Sequence, residues 1–580
     1  MRFNFAIIGG GLTATAMLCQ FVSRVHGKGA KGKLDPSKIG IQIYEKQDAF
    51  GPGFPHSGRF VLPFHITNMC AFDMGIIDSN PGDFQDWVAS NAVDLQNRFG
   101  WFGNSSAGAH NSEERCNHYP RSIMGAYLKT RFQEAVQSAR QLGIDVNLYL
   151  RSEVVDLKPN CGKIILRIED LRSKHHIDRE ADRVLLATGH WFAKNDHDRY
   201  FSSPWPAEKL RRSIPQGARV AVIGTSLSAI ETLLTLTSEG MFVRSDSGEL
   251  AYSSPDNPRK FFLYSRRGLL PKVRGKMGHH RNRFLNRENL DRLLSENRGN
   301  LKLAPIFKLL NSELETAYGH KIDWEEVLNP TGRPADLIER YLYDAVNGDG
   351  PNGELVWQTI LHQSFDMVRD VYLSLRLEER RRFDKNYTSV FFTHAATQPA
   401  INAEKLLALL KAGMVEVLKL GNNYQLVKND VNDCFEFIYR DDRGNLRRDA
   451  YRYVVNARGQ EKSMETDPSA LASNLLKSGT VQIEEFRPVG HKTSLDDKIS
   501  SASAAEGETY KTGSIWIDPD THHIMQMGSD KKVMKSSGIY AVGAMTRGQI
   551  IDASMARGIV EATSRVADDM VDCLIRTVTK

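Results

Sequence analysis

Ile7-Ile8-Gly9-Gly10-Gly11-Leu12-Thr13-Ala14 is a G-x-G-x-x-A pattern set between an apolar run, Arg2–Ile8, and a helical stretch, Leu12–Val25. The run reads as a buried parallel strand. A glycine turn between a strand and a helix is the context in which this pattern has a mechanism. Gly9 makes the tight turn and Gly11 lets backbone N–H groups approach a pyrophosphate. The small Ala14 lets helix and strand pack closely, with the phosphate on the helix N-terminus. The following strand, Ile39–Glu45, ends in a carboxylate that can accept hydrogen bonds from an adenosine ribose. Glu45 lies farther on than the usual ~20 positions, because a Gly/Lys-rich connector, H-G-K-G-A-K-G-K, intervenes.

A second unit repeats this design. The strand Arg219–Ile223 runs into Gly224-Thr225-Ser226-Leu227-Ser228-Ala229-Ile230-Glu231, with Ser226 in place of the middle glycine. Serine is small enough to admit a phosphate and adds a hydroxyl donor. The unit's next strand, Phe261–Ser265, is followed by Arg266-Arg267-Gly268. An acidic residue there would favour a free ribose 2′-OH, whereas arginine favours a 2′-phosphate, so this unit is expected to take NADPH. Leu186-Ala187-Thr188-Gly189, Asn456-Ala457-Arg458-Gly459 and Ala541-Val542-Gly543-Ala544 read as strand ends returning toward a dinucleotide.

The remainder of the 580 residues sets bounds. Apolar residues make up 41% and charged residues 25%, ordinary globular usage. The net charge of +6 is small for such a length and calls for no nucleic-acid partner. No apolar run reaches the ~18 residues of a membrane span. The apolar Phe3–Cys19 stretch imitates a signal peptide but carries three adjacent glycines and no convincing cleavage site. It is read as strand, turn and helix in a cytoplasmic protein. The six cysteines, Cys19, Cys70, Cys116, Cys161, Cys434 and Cys573, are scattered and expected to be free thiols. They offer neither a metal site nor the cysteine pair that a disulfide reductase needs.

From about Gly278 to Asp384 strand-like runs nearly vanish and helical periodicity dominates, as in Asn289–Leu294 and Val356–Leu375. Strand signals return at Ser389–Thr393, Met414–Lys419, Phe435–Tyr439 and Tyr453–Asn456. A last strand, Gly538–Val542, precedes a final helix from about Ile551. The expected fold is therefore α/β, with two Rossmann-like dinucleotide-binding domains and a mostly helical insertion. Residues 1–200 and 461–580 form the first domain, 201–277 and 385–460 the second, and 278–384 the insertion.

Together with Tyr119-Pro120-Arg121-Ser122 and Pro204-Trp205, these motifs make the chain resemble bacterial FAD/NAD(P)-binding proteins related to flavin-containing monooxygenases. That group includes the amino-acid N-hydroxylases, among them aspartate N-hydroxylases that form nitrosuccinate. The resemblance spans nearly the whole chain. It implies FAD on the first unit, NADPH on the second, and O₂ with a small amine or amino acid as reactants. By the same resemblance, a C4a-hydroperoxyflavin passes its distal oxygen to a neutral amine. Leu62–Asn68 is similar to the family segment ending in Thr-Asn, which implies that Asn68 lies beside the reactive face of the flavin. Ala544 departs from the pattern, since many flavoproteins place an aspartate there. Arg547, at the start of the last turn, offers a guanidinium near the expected isoalloxazine.

Alternatives stay open. The same cofactors suit an NADPH oxidoreductase without oxygenation, or a non-catalytic flavin scaffold whose insertion binds a partner. Asn68 could instead cap a turn, and His65 reads as a packed loop residue. The stretch Pro271–Phe284 carries Lys272, Arg274, Lys276, Arg281 and Arg283, with His279 and His280. It reads as a solvated basic turn, a loop closing over NADPH phosphates, or a patch for a substrate carboxylate.

Overall fold

A computed structural model describes residues 2–29, 31–100, 117–193, 197–278, 280–297, 300–486, 509–528 and 532–578. His279 and Cys116 lie outside the described residues. The first sheet has six strands in the order His523–Met527, Val533–Ala541, Arg183–Leu186, Phe3–Ile8, Ile39–Glu45 and Asp145–Leu150. All neighbouring pairs are parallel except the first. Phe3–Ile8 is central, so both its faces are covered and every residue but Asn4 is apolar. Helices Leu12–Gly29 and Ala556–Val578 pack on one face, burying Met17, Phe21, Val566 and Met570 against Phe5 and Ile7.

The second sheet is all parallel, in the order Val415–Lys419, Lys260–Ser265, Arg219–Ile223, Tyr453–Asn456 and Tyr200–Phe201. Each unit also carries a three-stranded antiparallel sheet. In the first it is Ser152–Asn160, Lys163–Asp170 and His176–Ala181; in the second, Gln425–Asn429, Cys434–Arg440 and Leu446–Tyr451. The α/β class and the paired dinucleotide-type units stand as expected.

Helices run without an intervening strand from Arg287–Glu296 to Ala400–Lys411. Val356–Leu375 is two helices, Val356–Gln363 and Phe365–Ser374, which meet at Ser364. The strand expected at Ser389–Thr393 is instead the helix Thr388–Ala395. Its β-branched and aromatic residues favour a strand locally, but Val390 is buried and Phe391 meets Phe383 at 6.1 Å within the helical region, so packing overrides propensity. The helical region is fastened to the first unit through buried Arg380, which pairs with Glu484 at 3.3 Å. The Tyr372 hydroxyl meets Asp384 at 3.0 Å and the Gly548 carbonyl at 3.2 Å.

The final helix begins at Ala556 rather than near Ile551, because a 3₁₀ turn, Ala544–Thr546, follows Gly543. Cys19, Cys161, Cys434 and Cys573 are free, while Cys70 is disulfide-bonded, against expectation. Scattered spacing carries no information about pairing in space. Among the described residues no helix is long and apolar enough to cross a membrane, and no group of His, Cys, Asp or Glu is placed to hold a metal ion.

Candidate active site

The two glycine turns are built alike, atom for atom. In the first, Gly9 donates to the Tyr44 carbonyl at 2.8 Å, and Ala187 donates to the Ile8 carbonyl at 2.8 Å. In the second, Gly224 donates to the Tyr264 carbonyl at 2.7 Å, and Ala457 to the Ile223 carbonyl at 2.8 Å. Both glycines have positive φ, 103° and 125°. A Cβ would sit 2.2 Å from the Ala187 carbonyl oxygen at Gly9 and 2.6 Å from that of Ala457 at Gly224. Glycine is required at both by conformation and by the strand crossing behind it.

Both turns open onto one cavity of about 1510 Å³, walled by the two sheet units and the helical region. Gly9, Gly11, Glu45, Asn68, Gly189, Gly224, Ser226, Arg266, Arg267, Gly543, Ala544 and Arg547 all line it. Ala14 does not; it is fully buried against the strand, as its packing role requires. Ala544 is buried in the wall.

Glu45 has a second task that the sequence did not reveal. Its Oε2 accepts from the Gly10 N–H at 2.6 Å and its Oε1 from the Gln47 N–H at 2.8 Å, so it braces the glycine turn. Burial raises its pKa, and those two amides oppose the rise. Thr225 likewise fixes the second turn, donating to the Leu269 carbonyl at 2.6 Å. Arg121, at the start of helix Arg121–Gln141, forms a buried pair with Glu231 of the second unit at 2.7 Å. That contact joins the two units beside the cavity.

The cavity wall holds buried polar atoms with no protein partner: His56 Nδ1, Asn68 Oδ1, Thr188 Oγ1 and His190 Nδ1. Such atoms are costly unless something hydrogen-bonds to them. A polar dinucleotide with a flavin ring fits this lining, as do the phosphate-sized turns. Burial, with the Arg121 charge beside it, pulls His56 down to about 3. Burial and the Arg547 charge do the same to His190, to about 3. Both imidazoles are therefore neutral. Asn68 caps nothing, since its Oδ1 is free of partners. His65 is a packed residue: its Nδ1 accepts from the Leu62 N–H at 3.1 Å and its Nε2 meets the Thr235 hydroxyl at 3.0 Å.

Arg547 is half-buried, has its pKa lowered by burial, and makes no side-chain hydrogen bond or ion pair among the described residues. Arg266 and Arg267 reach the helical region as well as the cavity, donating to the Lys385 carbonyl at 2.9 Å and the Leu328 carbonyl at 3.5 Å. The basic stretch divides. Lys276, Arg281 and Arg283 are exposed, whereas Lys272 lies 3.7 Å from the centre of the Tyr341 ring and Arg274 points into the cavity. A wholly solvated turn is thus excluded.

Two glycine turns on one cavity define an α/β protein of the two-dinucleotide kind. Residues 6–191 match the family described as FAD-NAD(P)-binding, so this part of the chain is an FAD/NAD(P)-binding domain. The chain is 23% identical over 519 residues to the uncharacterized protein YdhS of Escherichia coli (strain K12), across 85% of this chain and 89% of YdhS. Among solved structures it is similar to the ornithine N-hydroxylase KtzI of Kutzneria sp. 744, with a TM-score of 0.50 and 13% identity over 100% of both chains. It is also similar to the ornithine hydroxylase PvdA of Pseudomonas aeruginosa, with a TM-score of 0.49 and 11% identity over 100% of both chains. The likeness to KtzI is one of fold.

Proposed function

We propose that this chain is an NADPH-dependent flavin monooxygenase that N-hydroxylates a small amine or amino acid. The observation that carries the reading is the single cavity onto which both glycine turns open. Two dinucleotides held there would meet without leaving the protein. FAD, when bound, supplies the redox chemistry, accepting a hydride from NADPH and delivering electrons to O₂.

On this reading Gly9, Gly11, Glu45, Gly189, Gly543 and Ala544 hold FAD, Ala14 packs the helix behind the first turn against its strand, and Gly224, Ser226, Arg266 and Arg267 hold NADPH. The chain's own contributions are placement, hydrogen bonding and exclusion of water. Asn68 presents a side-chain amide at the cavity wall with its Oδ1 unpartnered, and the NH₂ of that amide, directed at the ligand, would stabilise developing negative charge. His56 and His190, kept neutral, do not shed protons into the site. Arg547 supplies a fixed positive charge. The nitrogen that reacts must be a neutral amine, so rate follows the ionisation of the substrate. A cytoplasmic location suits an enzyme that draws on NADPH.

Purified protein is tested by following NADPH and O₂ consumption against a panel of amines and amino acids. Hydroxylated product in proportion to NADPH consumed supports the reading. NADPH consumption that yields only hydrogen peroxide with every substrate favours an oxidoreductase without oxygenation, and no flavin bleaching favours a scaffold.

A further inference from the structure

The proposed chemistry leaves unused a polar junction buried between the Asn68 loop and the helix Leu227–Leu236 of the second unit. That helix begins directly after Ser226, at the second glycine turn. Glu231 and Thr235, four positions apart, stand on one face of it, and both meet the first unit. The Arg121 guanidinium donates to Glu231 Oε1 at 2.7 Å, and His65 Nε2 lies 3.0 Å from the Thr235 hydroxyl. Two further bonds close a ring. The Arg121 N–H donates to the His65 carbonyl at 2.8 Å, and the Thr235 hydroxyl donates to the Glu231 carbonyl at 2.8 Å.

The direction of each bond follows from the donors present. The Leu62 N–H donates to His65 Nδ1 at 3.1 Å, so that nitrogen carries a lone pair. Burial pulls the ring down to about 3 and keeps it neutral, which places its one proton on Nε2. Nε2 therefore donates to Thr235, whose own proton goes to Glu231. A satisfied ring of directional bonds admits one arrangement, where apolar packing would tolerate sliding.

That arrangement reaches Asn68 through the backbone. Ile66 pairs antiparallel with Pro120, and the Thr67 N–H donates to the Tyr119 carbonyl at 2.8 Å. The Tyr119 N–H returns to Thr67 Oγ1 at 3.3 Å. Residues 65–67 are thus laced to residues 119–121, and Asn68 comes next. Its Oδ1 has no partner of its own, so the lacing sets where that oxygen stands.

We propose that His65 and Thr235 are positioning residues that fix the Asn68 loop to the helix of the second glycine turn, so that a nucleotide on that turn also orders Asn68. The proposal rests on the monooxygenase reading for what Asn68 does, but not for the coupling itself. Ligand binding that orders one end of a rigid helix of ten residues lowers the cost of ordering what is bonded to the other end.

The test is hydrogen exchange of the FAD-loaded full-length protein with and without NADP⁺, read by mass spectrometry on peptides covering residues 60–70. NADP⁺ should slow exchange there by about five-fold or more, the low end of coupling between sites. Thr235→Val keeps the shape and removes the hydroxyl; it should abolish that protection at unchanged FAD content, and Thr235→Ser should keep it. Shielding by direct contact with the nucleotide would survive Thr235→Val. If that variant does not load FAD, His65→Asn repeats the test, since its shorter amide can accept from Leu62 but falls short of Thr235. In turnover, Thr235→Val should raise hydrogen peroxide released per NADPH toward the Asn68→Ala level and add nothing to Asn68→Ala in the double variant, whereas a general loosening of the fold would add. Exchange that ignores NADP⁺, protection unchanged in Thr235→Val, or a double variant leakier than Asn68→Ala overturns the proposal. Protection that depends on Thr235, in a protein that makes no hydroxylated product, keeps the coupling and removes the monooxygenase reading. Hydroxylation that stays tightly coupled in Thr235→Val, with no NADP⁺ protection, does the reverse.

Discussion

At the scale of single residues the account stands on side chains that face the cavity with unspent hydrogen-bonding capacity. Asn68 has the sharpest consequence. Replacing it by Ala removes a preorganised donor worth ~2.7–4 kcal/mol where such donors have been deleted elsewhere. FAD content and NADPH-driven flavin reduction should survive in Asn68→Ala, while product per NADPH falls and hydrogen peroxide rises. A variant that stays tightly coupled removes Asn68 from the chemistry. Arg266 and Arg267 govern the choice of nucleotide. Changing both to Ala removes up to two charge-assisted contacts of ~1.5–3 kcal/mol, discounted for exposure, so the NADPH-over-NADH preference in kcat/KM should drop by about ten-fold or more. An unchanged ratio places the 2′-phosphate elsewhere. Arg266 and Arg267 were legible in the sequence because they stand at the end of the strand that follows the second glycine turn, and Asn68 through the resemblance of Leu62–Asn68 to a family segment. The Arg121–Glu231 pair left no such mark, since its two members come from distant segments.

At the scale of elements, the glycine turns and their flanking strands follow from local pattern, and Ile39–Glu45 and Arg219–Ile223 fall where the sequence places them. Thr388–Ala395 does not, because neighbours that the sequence brings from elsewhere decide its conformation. The junction between elements is tested by Arg121, whose pair with Glu231 spans helices Arg121–Gln141 and Leu227–Leu236. Burial raises the Glu231 pKa and Arg121 opposes the rise, so removing Arg121 leaves a buried carboxylate alone. Arg121→Met should lower the free energy of unfolding by ~3–5 kcal/mol, and Arg121→Met with Glu231→Leu should recover much of it. Denaturant titration measures both; a single-variant loss below about 1 kcal/mol would show that the pair does not hold the units together. Gly11→Val tests the first turn itself: a branched side chain there blocks approach to the backbone, and the purified protein should lose its yellow colour.

At the scale of the whole molecule, stability should depend on pH through buried histidines. His65 and His522 are each pulled down to about 3, chiefly by burial. The unfolded chain binds protons at these residues below its ordinary value of ~6.5 while the folded one does not. Their contribution is therefore complete above that pH and is lost as pH falls, at up to ~1.4 kcal/mol per histidine per pH unit. The thermal midpoint should be level from pH 8 to 6.5 and decline between 6.5 and 5, before carboxylates begin to titrate. A level midpoint down to pH 5 would contradict that burial. The two-unit architecture was legible because its defining turn occurs twice. The shared cavity was not, because it arises only where both units meet the helical region. The most direct test of that cavity's purpose is a reaction under ¹⁸O₂ with NADPH and a substrate that binds. One ¹⁸O atom in each hydroxylated product, in step with NADPH consumed, is the result expected; unlabelled product, or label recovered only in hydrogen peroxide and water, would contradict the account.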